Sequence, residues 1–297
     1  MIDKKRLIIL DSNALLHRAF HALPPLTTKK GEPTGAVYGF LLTLFKAIKD
    51  LSPDYIVACF DVAVPTFRHQ KFAEYKAKRP KTPEEIKIQL PKIKEILKVF
   101  EIPIFEKEGF EADDLIATIS TKAEKENKWL ETYILSGDLD TLQLVDENTK
   151  VYTLGRGIKD TIIYDRERVL SRFGVSPEQM VDFKSLTGDP SDNIPGVLGV
   201  GKKTAADLLK EFGTIDNLYQ KIENNEVDIK PRIKDTLLKN KKQAFFARTL
   251  VETKRDVNID FIIEECRFGD FNRSEVEKLL SEFEFHSLIS RLASFQD

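Results

Sequence analysis

The chain has 297 residues, 41% hydrophobic and 32% charged, a composition that suits a large buried core in one extended domain or one domain with a smaller lobe, and excludes collagen-like, mucin-like and disordered chains. Lys and Arg number 46 against 48 Asp and Glu, so a net charge of −2 carries no overall basic footprint for a polyanion, and the local distribution of charge has to decide. Two cysteines, Cys59 and Cys266, show no metal-ligand spacing and exclude a disulfide-stapled framework; Cys59, inside an apolar run, reads as a buried thiol.

The N-terminus leads into an apolar run, Leu7 to Leu10, too short for a signal peptide, and no segment could span a bilayer; a soluble cytoplasmic protein without a membrane partner is the expectation. Arg6 to Asp11 reads as a buried strand ending in a carboxylate. Val37 to Leu51 follows the helical period. Tyr55 to Asp61 is a second buried strand, again ending in Asp. Leu90 to Phe100 predicts a helix, Ile102 to Phe105 a short strand, Asp113 to Glu126 a helix and Trp129 to Leu135 a strand. Val151 to Leu154 and Thr161 to Tyr164 predict a hairpin or two edge strands. Helices are predicted over Asp165 to Phe173, Pro177 to Leu186, Thr204 to Phe212, Ile233 to Thr253 and Arg273 to Phe283. Alternation up to about residue 150 predicts an α/β class with a central, mostly parallel sheet and flanking helices, followed by a mainly helical part. Ligands of such sheets bind beyond the carboxyl ends of the strands, where Asp11, Asp61 and the Asp138/Asp140 pair fall.

Acidic knots are the strongest signal. Glu111, Asp113 and Asp114 crowd one helix start, and a cap needs only one of them. Asp138 and Asp140 follow a strand, and Asp189 and Asp192 lie in a turn-forming stretch. Singly these are ordinary turn acids. Gathered at one sheet edge they repel, by roughly 4 kcal/mol for a pair about 4 Å apart at an effective dielectric of about 20. A multivalent cation relieves that repulsion, and oxygen donors without a His or Cys cluster favour Mg²⁺ or Mn²⁺ over Zn²⁺. His17 and His21 could share a helix face but have no third ligand nearby in sequence. Two divalent ions are a standard device for phosphodiester hydrolysis.

Residues 67 to 81 carry a basic run with interleaved aromatics, suited to a flexible or helical element holding single-stranded backbone over the metal edge. Lys76 and Arg79 are the candidates for steering the phosphate or assisting its transition state, with Arg68, Lys71, Tyr75 and Lys78 as further nucleic-acid contacts. In residues 193 to 206, Gly196, Gly199 and Gly201 allow a tight turn and close approach of backbone amides to phosphate, and Lys202, Lys203 and Thr204 open the next helix. Such contacts position duplex without reading sequence. A nucleotide-binding P-loop is rejected: Lys203 takes the Ser/Thr position after Gly201-Lys202, and the string lies between predicted helices.

These strings, from Leu10-Asp11 and residues 26 to 40 through Phe60-Asp61, Phe67-Arg68-His69, residues 75 to 79, residues 110 to 114, residues 137 to 140 and residues 187 to 197, occur in an order that resembles the 5′-nuclease (flap endonuclease-like) family, in particular the 5′→3′ exonuclease domain of bacterial DNA polymerase I. The resemblance spans almost the whole chain. It implies that Asp11, Asp61, Glu111, Asp113, Asp114, Asp138, Asp140, Asp189 and Asp192 are acidic active-site positions, that residues 67 to 92 form a basic helical arch, and that Lys76 and Arg79 assist at the scissile phosphate. It also implies a helix–three-turn–helix at about 187–212 that grips duplex and holds K⁺, and substrates with a 5′ flap, nick or free end cut to 5′-phosphate products. The expected organisation is a metal-binding nuclease core over 1–175 and a helical DNA-binding part over 176–297, with its last helices packed on the core. Two Mg²⁺ ions, DNA or RNA-primed DNA substrates, a monomer, a role in primer removal and repair, and a DNA polymerase in cis or trans complete the expectation. Leu139 stands where many members carry Lys, and Ser12 where glycine is common. Competing readings are a non-catalytic DNA-structure-binding protein, an RNA-directed nuclease and a sugar-phosphate phosphatase. Intact carboxylates weigh against the first and the duplex-binding turn against the last.

Overall fold

In a computed structural model that describes residues 4–127, 129–155, 160–292 and 295, the chain folds around a six-stranded sheet. The elements run β1 (Lys5–Asp11), α1 (Ser12–Ala22), α2 (Gly35–Leu51), β2 (Tyr55–Cys59), α3 (Phe67–Lys71), α4 (Glu84–Val99), β3 (Ile104–Phe105), α5 (Ala112–Glu126) and β4 (Leu130–Leu135). A 3₁₀ turn over Leu139–Leu144 leads into β5 (Thr149–Leu154), β6 (Thr161–Tyr164) and α6 (Arg166–Phe173). The remainder is helical: α7 (Met180–Thr187), α8 (Lys202–Phe212), α9 (Ile215–Glu223), α10 (Pro231–Lys239), α11 (Lys241–Val251), α12 (Arg273–Glu282) and α13 (His286–Leu292), with 3₁₀ turns at Pro177–Gln179 and Ile263–Cys266.

The sheet order is β3-β2-β1-β4-β5-β6, parallel throughout except for the antiparallel β5–β6 hairpin at one edge. The apolar run of β1 is buried on both faces, as a central parallel strand must be. Its side chains alternate: Leu7 and Ile9 enter a core with α5, α7 and α8, while Ile8 and Leu10 enter a second core with α2, α4, α12 and α13. Full burial of each such side chain stabilises the fold by roughly 1.5–3 kcal/mol.

Several expected boundaries move. The predicted helix at Leu90 starts six residues earlier, and Pro91 lies inside it. The single helix expected over 233–253 is two, broken at Asn240, which ends α10 and opens α11. Helices α1, α9 and α13 were not expected. The basic run is helical only over α3 and α4; residues 72 to 83 between them form turns and extended backbone.

Candidate active site

β1, β2 and β4 are adjacent and parallel, so their carboxyl ends share one rim. Asp11, the last residue of β1, caps α1 by accepting from the Ala14 amide, and also accepts from Ser136 Oγ just beyond β4. Asp61 follows β2 and accepts from the Ala112 amide at 2.8 Å, which ties it to the start of α5. Asp138 caps the 3₁₀ turn through the Asp140 amide at 3.0 Å. The helical part closes the bowl: Asp189 and Ile194 pair as an isolated bridge, and Asp189 Oδ1 accepts from the Ser191 amide and hydroxyl and the Asp192 amide.

Electrostatics show how tightly these groups crowd. Burial, then the charge of Asp138 and Asp61, outweighs the Ser136 hydrogen bond and pushes the Asp11 carboxyl up to about 7. Asp113 is raised well above the usual carboxylate range by burial and by Asp11, Asp138 and Asp140. Asp140 is pushed up to about 7 by burial, with Asp138 and Asp189 adding to the effect against the pull of Lys184. Asp61 is raised by the protein packed around it, although its side chain opens to solvent. Asp189 goes the other way, to about 2: burial is outweighed by Lys184 and the Ser191 bonds.

Three cations stand among the acids. Lys76 Nζ donates to Glu111 Oε2 at 2.9 Å and lies 4.0 Å from Asp192 Oδ2. Arg79 pairs with Asp192, and Lys184 of α7 pairs with Asp140 and with Asp189, the latter at 2.8 Å. Lys76 adopts φ +55°, a left-handed conformation uncommon for a side chain of this size, and its amide donates to the Asp192 carbonyl. That bond stitches the basic segment to the 189–192 turn. Among the described residues no three or more His, Cys, Asp or Glu side chains are drawn together as a group that could hold a metal ion. The donor set itself fits a hard divalent cation: it is all carboxylate oxygen, it is too crowded to carry its full charge unaided, and it already draws Lys76 and Lys184 inward as partial counter-charge.

Four expectations need correction. Arg68 is not available to a phosphate: it is buried, binds both oxygens of Asp114 at 2.7 and 2.8 Å, and donates to the Leu250 and Glu252 carbonyls. Burial alone would lower its proton affinity, but the hydrogen bonds and charge of Asp114 raise it. Asp114 is correspondingly no part of the bowl surface, because its oxygens also accept from the amides of Glu111 and Lys254. Tyr75 is buried at 3% exposure, and its hydroxyl lies 3.0 Å from a carboxylate oxygen of Glu111 and of Asp192, its one proton shared between them, so its ring is not an open stacking platform. Gly196 presses against Gly188, where an added Cβ would meet the Gly188 amide nitrogen at 2.2 Å; backbone-to-backbone packing already explains that glycine.

The remaining candidates are exposed. Lys71 and Lys78 lie on the surface of the basic segment, and Lys202 and Lys203 open α8 behind the Gly201 cap. Gly199 takes φ +83° with open space around it, Gly201 is likewise open, and Thr204 is half-buried. The turn lies between α7 and α8, not after a strand, as the rejection of a P-loop requires. His17 is half-buried on α1, and burial lowers its imidazole below the usual range, with His21 and Arg79 adding to the effect. Leu139 packs on the core. Sequence reasoning missed Lys184; its only signal is its place one helical turn before the Gly188-Asp189 turn.

Hard oxygen donors gathered in one place are what a divalent-ion-dependent phosphodiester hydrolase needs. Comparison with known proteins agrees and narrows it. Residues 6–174 match the model described as 5'-3' exonuclease, N-terminal resolvase-like domain, and residues 175–274 that described as 5'-3' exonuclease, C-terminal SAM fold. The chain belongs to the 5'-3' exonuclease family, whose members are metal-dependent nucleases. A relative named "5'-3' exonuclease" from Aquifex aeolicus (strain VF5) is 39% identical over 97% of this chain and 95% of its own length. "DNA polymerase I" from Bacillus subtilis (strain 168) is 41% identical over 98% of this chain, which spans about a third (33%) of the polymerase. Two solved structures share the fold. A bacteriophage T5 flap endonuclease in a pseudo-enzyme–product complex with DNA and metal ions has TM-score 0.68, 18% identity, and covers 99% of this chain and 100% of its own. Human GEN1 with Holliday junction DNA has TM-score 0.62, 17% identity, and covers 99% and 71%. No helix among the described residues is long and apolar enough to cross a membrane.

Proposed function

We propose that this chain hydrolyses DNA phosphodiesters at 5′ ends, nicks and 5′ flaps with Mg²⁺, acting as both 5′→3′ exonuclease and flap endonuclease and leaving 5′-phosphate products. The observation that carries this is convergence. Eight carboxylates from five distant stretches (Asp11, Asp61, Glu111, Asp113, Asp138, Asp140, Asp189 and Asp192) meet around one bowl, with Lys76, Arg79 and Lys184 among them. These carboxylates would hold two divalent ions, Mn²⁺ serving as a substitute for Mg²⁺. Bound there, the ions would activate a water and neutralise charge on the reacting phosphate. Lys76 and Arg79, held at the rim by Glu111 and Asp192, bind the phosphate oxygens. Asp114 and Arg68 support Glu111 from behind.

The α7–α8 turn grips duplex through Gly199, Gly201, Lys202 and Lys203, and its backbone carbonyls would be the donors for a K⁺. Residues 1–175 then form the nuclease core and 176–297 the helical DNA-binding part. The chain acts as a cytoplasmic monomer in primer removal and repair, on RNA-primed as well as all-DNA flaps, with a DNA polymerase in cis or trans. The test is cleavage of end-labelled 5′-flap, nicked and blunt duplexes across a Mg²⁺ series. The expected result is Mg²⁺-dependent release of short 5′-phosphorylated products from flap and nick; equal, Mg²⁺-independent products from all three would overturn the proposal.

A further inference from the structure

Three supports behind the bowl hang from one short stretch of chain. Leu250 to Lys254, the end of α11 and the backbone after it, accepts from Arg68 at the Leu250 and Glu252 carbonyls, and its Lys254 amide donates to Asp114. Gln143, in the 3₁₀ turn that carries Asp140, makes the third attachment. Its amide nitrogen donates to the Asp140 carbonyl at 3.0 Å and the Val251 carbonyl at 3.2 Å. Its side-chain oxygen accepts from the Thr253 amide at 3.1 Å and the Thr253 hydroxyl at 3.2 Å. Its own carbonyl accepts from Arg255 at 2.9 Å.

Gln143 is buried at 6% exposure, between fully buried Leu142 and buried Leu144. An apolar side chain of that size would fill the space without the need to satisfy a buried amide. The amide here has both donors and its acceptor engaged, and one of its bonds falls on the main chain of the very residue whose carboxylate faces Asp138, Asp189 and Lys184. A metal-binding carboxylate is only as well placed as the backbone beneath it, and groups that orient it contribute to affinity.

We propose that Gln143 is a positioning residue of the metal site, fixing the Asp138–Asp140 turn to the 250–254 strap so that Asp140 meets the cation in one orientation. The proposal rests on the metal role given above to Asp140, and its test separates the two. Mn²⁺ binding is measured by electron paramagnetic resonance on DNA-free protein, for the natural sequence, Gln143→Met, Thr253→Val and Thr253→Ser, each confirmed folded by circular dichroism. Gln143→Met is expected to weaken Mn²⁺ binding about tenfold, the low end for outer-shell changes, and to lower kcat with KM for flap DNA held within about twofold. Thr253→Val, which removes only the hydroxyl, should shift both in the same direction by less, and Thr253→Ser should match the natural sequence. If the natural sequence binds Mn²⁺ and Gln143→Met binds it equally well, merely melting at a lower temperature, the positioning role is wrong. Should Gln143→Met fail to fold, identical Mn²⁺ affinity in the Thr253→Val and Thr253→Ser proteins overturns it instead. No Mn²⁺ uptake by the natural sequence would overturn the metal reading itself.

Discussion

Replacing Arg68 with Ala distinguishes a structural clamp from a phosphate contact. Arg68 and Asp114 are 3% and 0% exposed at their side chains, and the change removes two charge-assisted bonds at 2.7 and 2.8 Å together with those to the Leu250 and Glu252 carbonyls. The Asp114 carboxylate stays behind in the core with only two amide donors. Breaking a buried pair in this way costs about 3–5 kcal/mol, a large share of the roughly 5–15 kcal/mol typical of a whole domain. Urea unfolding should therefore show a much lower midpoint with an unchanged slope. Arg68→Met combined with Asp114→Leu should recover much of the loss, since no charge is left stranded. Surface changes usually stay within about 0.5 kcal/mol, and loss of one phosphate contact would reduce the slope of log K against log salt by about 0.9. Near-normal unfolding of Arg68→Ala with a reduced salt slope would refute the clamp.

Lys76→Ala should lower kcat on 5′ flaps by about 10- to 100-fold, as expected for loss of a charge-assisted bond of about 1.5–3 kcal/mol, with little change in duplex affinity; single-turnover assays and filter binding check it. Lys202→Ala and Lys203→Ala should each reduce the salt slope of duplex binding by about 0.9 and leave kcat at saturating DNA unchanged. Metal-free protein should lose stability as pH rises from about 4 to about 7, because native Asp11 and Asp140, at about 7, hold protons more tightly than the unfolded chain does. Mg²⁺ must displace those protons, so in thermal melts its gain in Tm should be larger at pH 8 than at pH 5.5.

Much of the rim was legible because the apolar runs of β1 and of β2 through Phe60 stop at carboxylates, Asp11 and Asp61, as suits central strands of a doubly covered parallel sheet, and Asp138 follows three residues after β4. Helix α1 was hidden because its cap is Asp11 itself, a residue at the end of a strand, and because its buried face is short: Ser12, Leu15, Leu16 and Ala19. Helix α9 carried a usable signal that went unread: Thr214 caps it, and Ile215, Leu218, Tyr219 and Ile222 lie on one face. Arg68 and Tyr75 misled for another reason. In a basic run every cation and ring looks like surface, and only the fold reveals that α3 turns Arg68 inward against α5 and the strap, and that the turn after it buries Tyr75 against Glu111 and Asp192. Lys184 and Gln143 gave little local cue, since beyond their near neighbours Asp189 and Asp140 the partners that tie them to the site lie 44 and 110 residues away in sequence.

Anomalous scattering from crystals soaked in Mn²⁺ tests the central claim most directly. The account predicts peaks inside the bowl, about 2 Å from oxygens of Asp113, Asp138 and Asp140, with Lys184 displaced from between Asp140 and Asp189. Active protein whose only Mn²⁺ peaks lie elsewhere on the surface would contradict it.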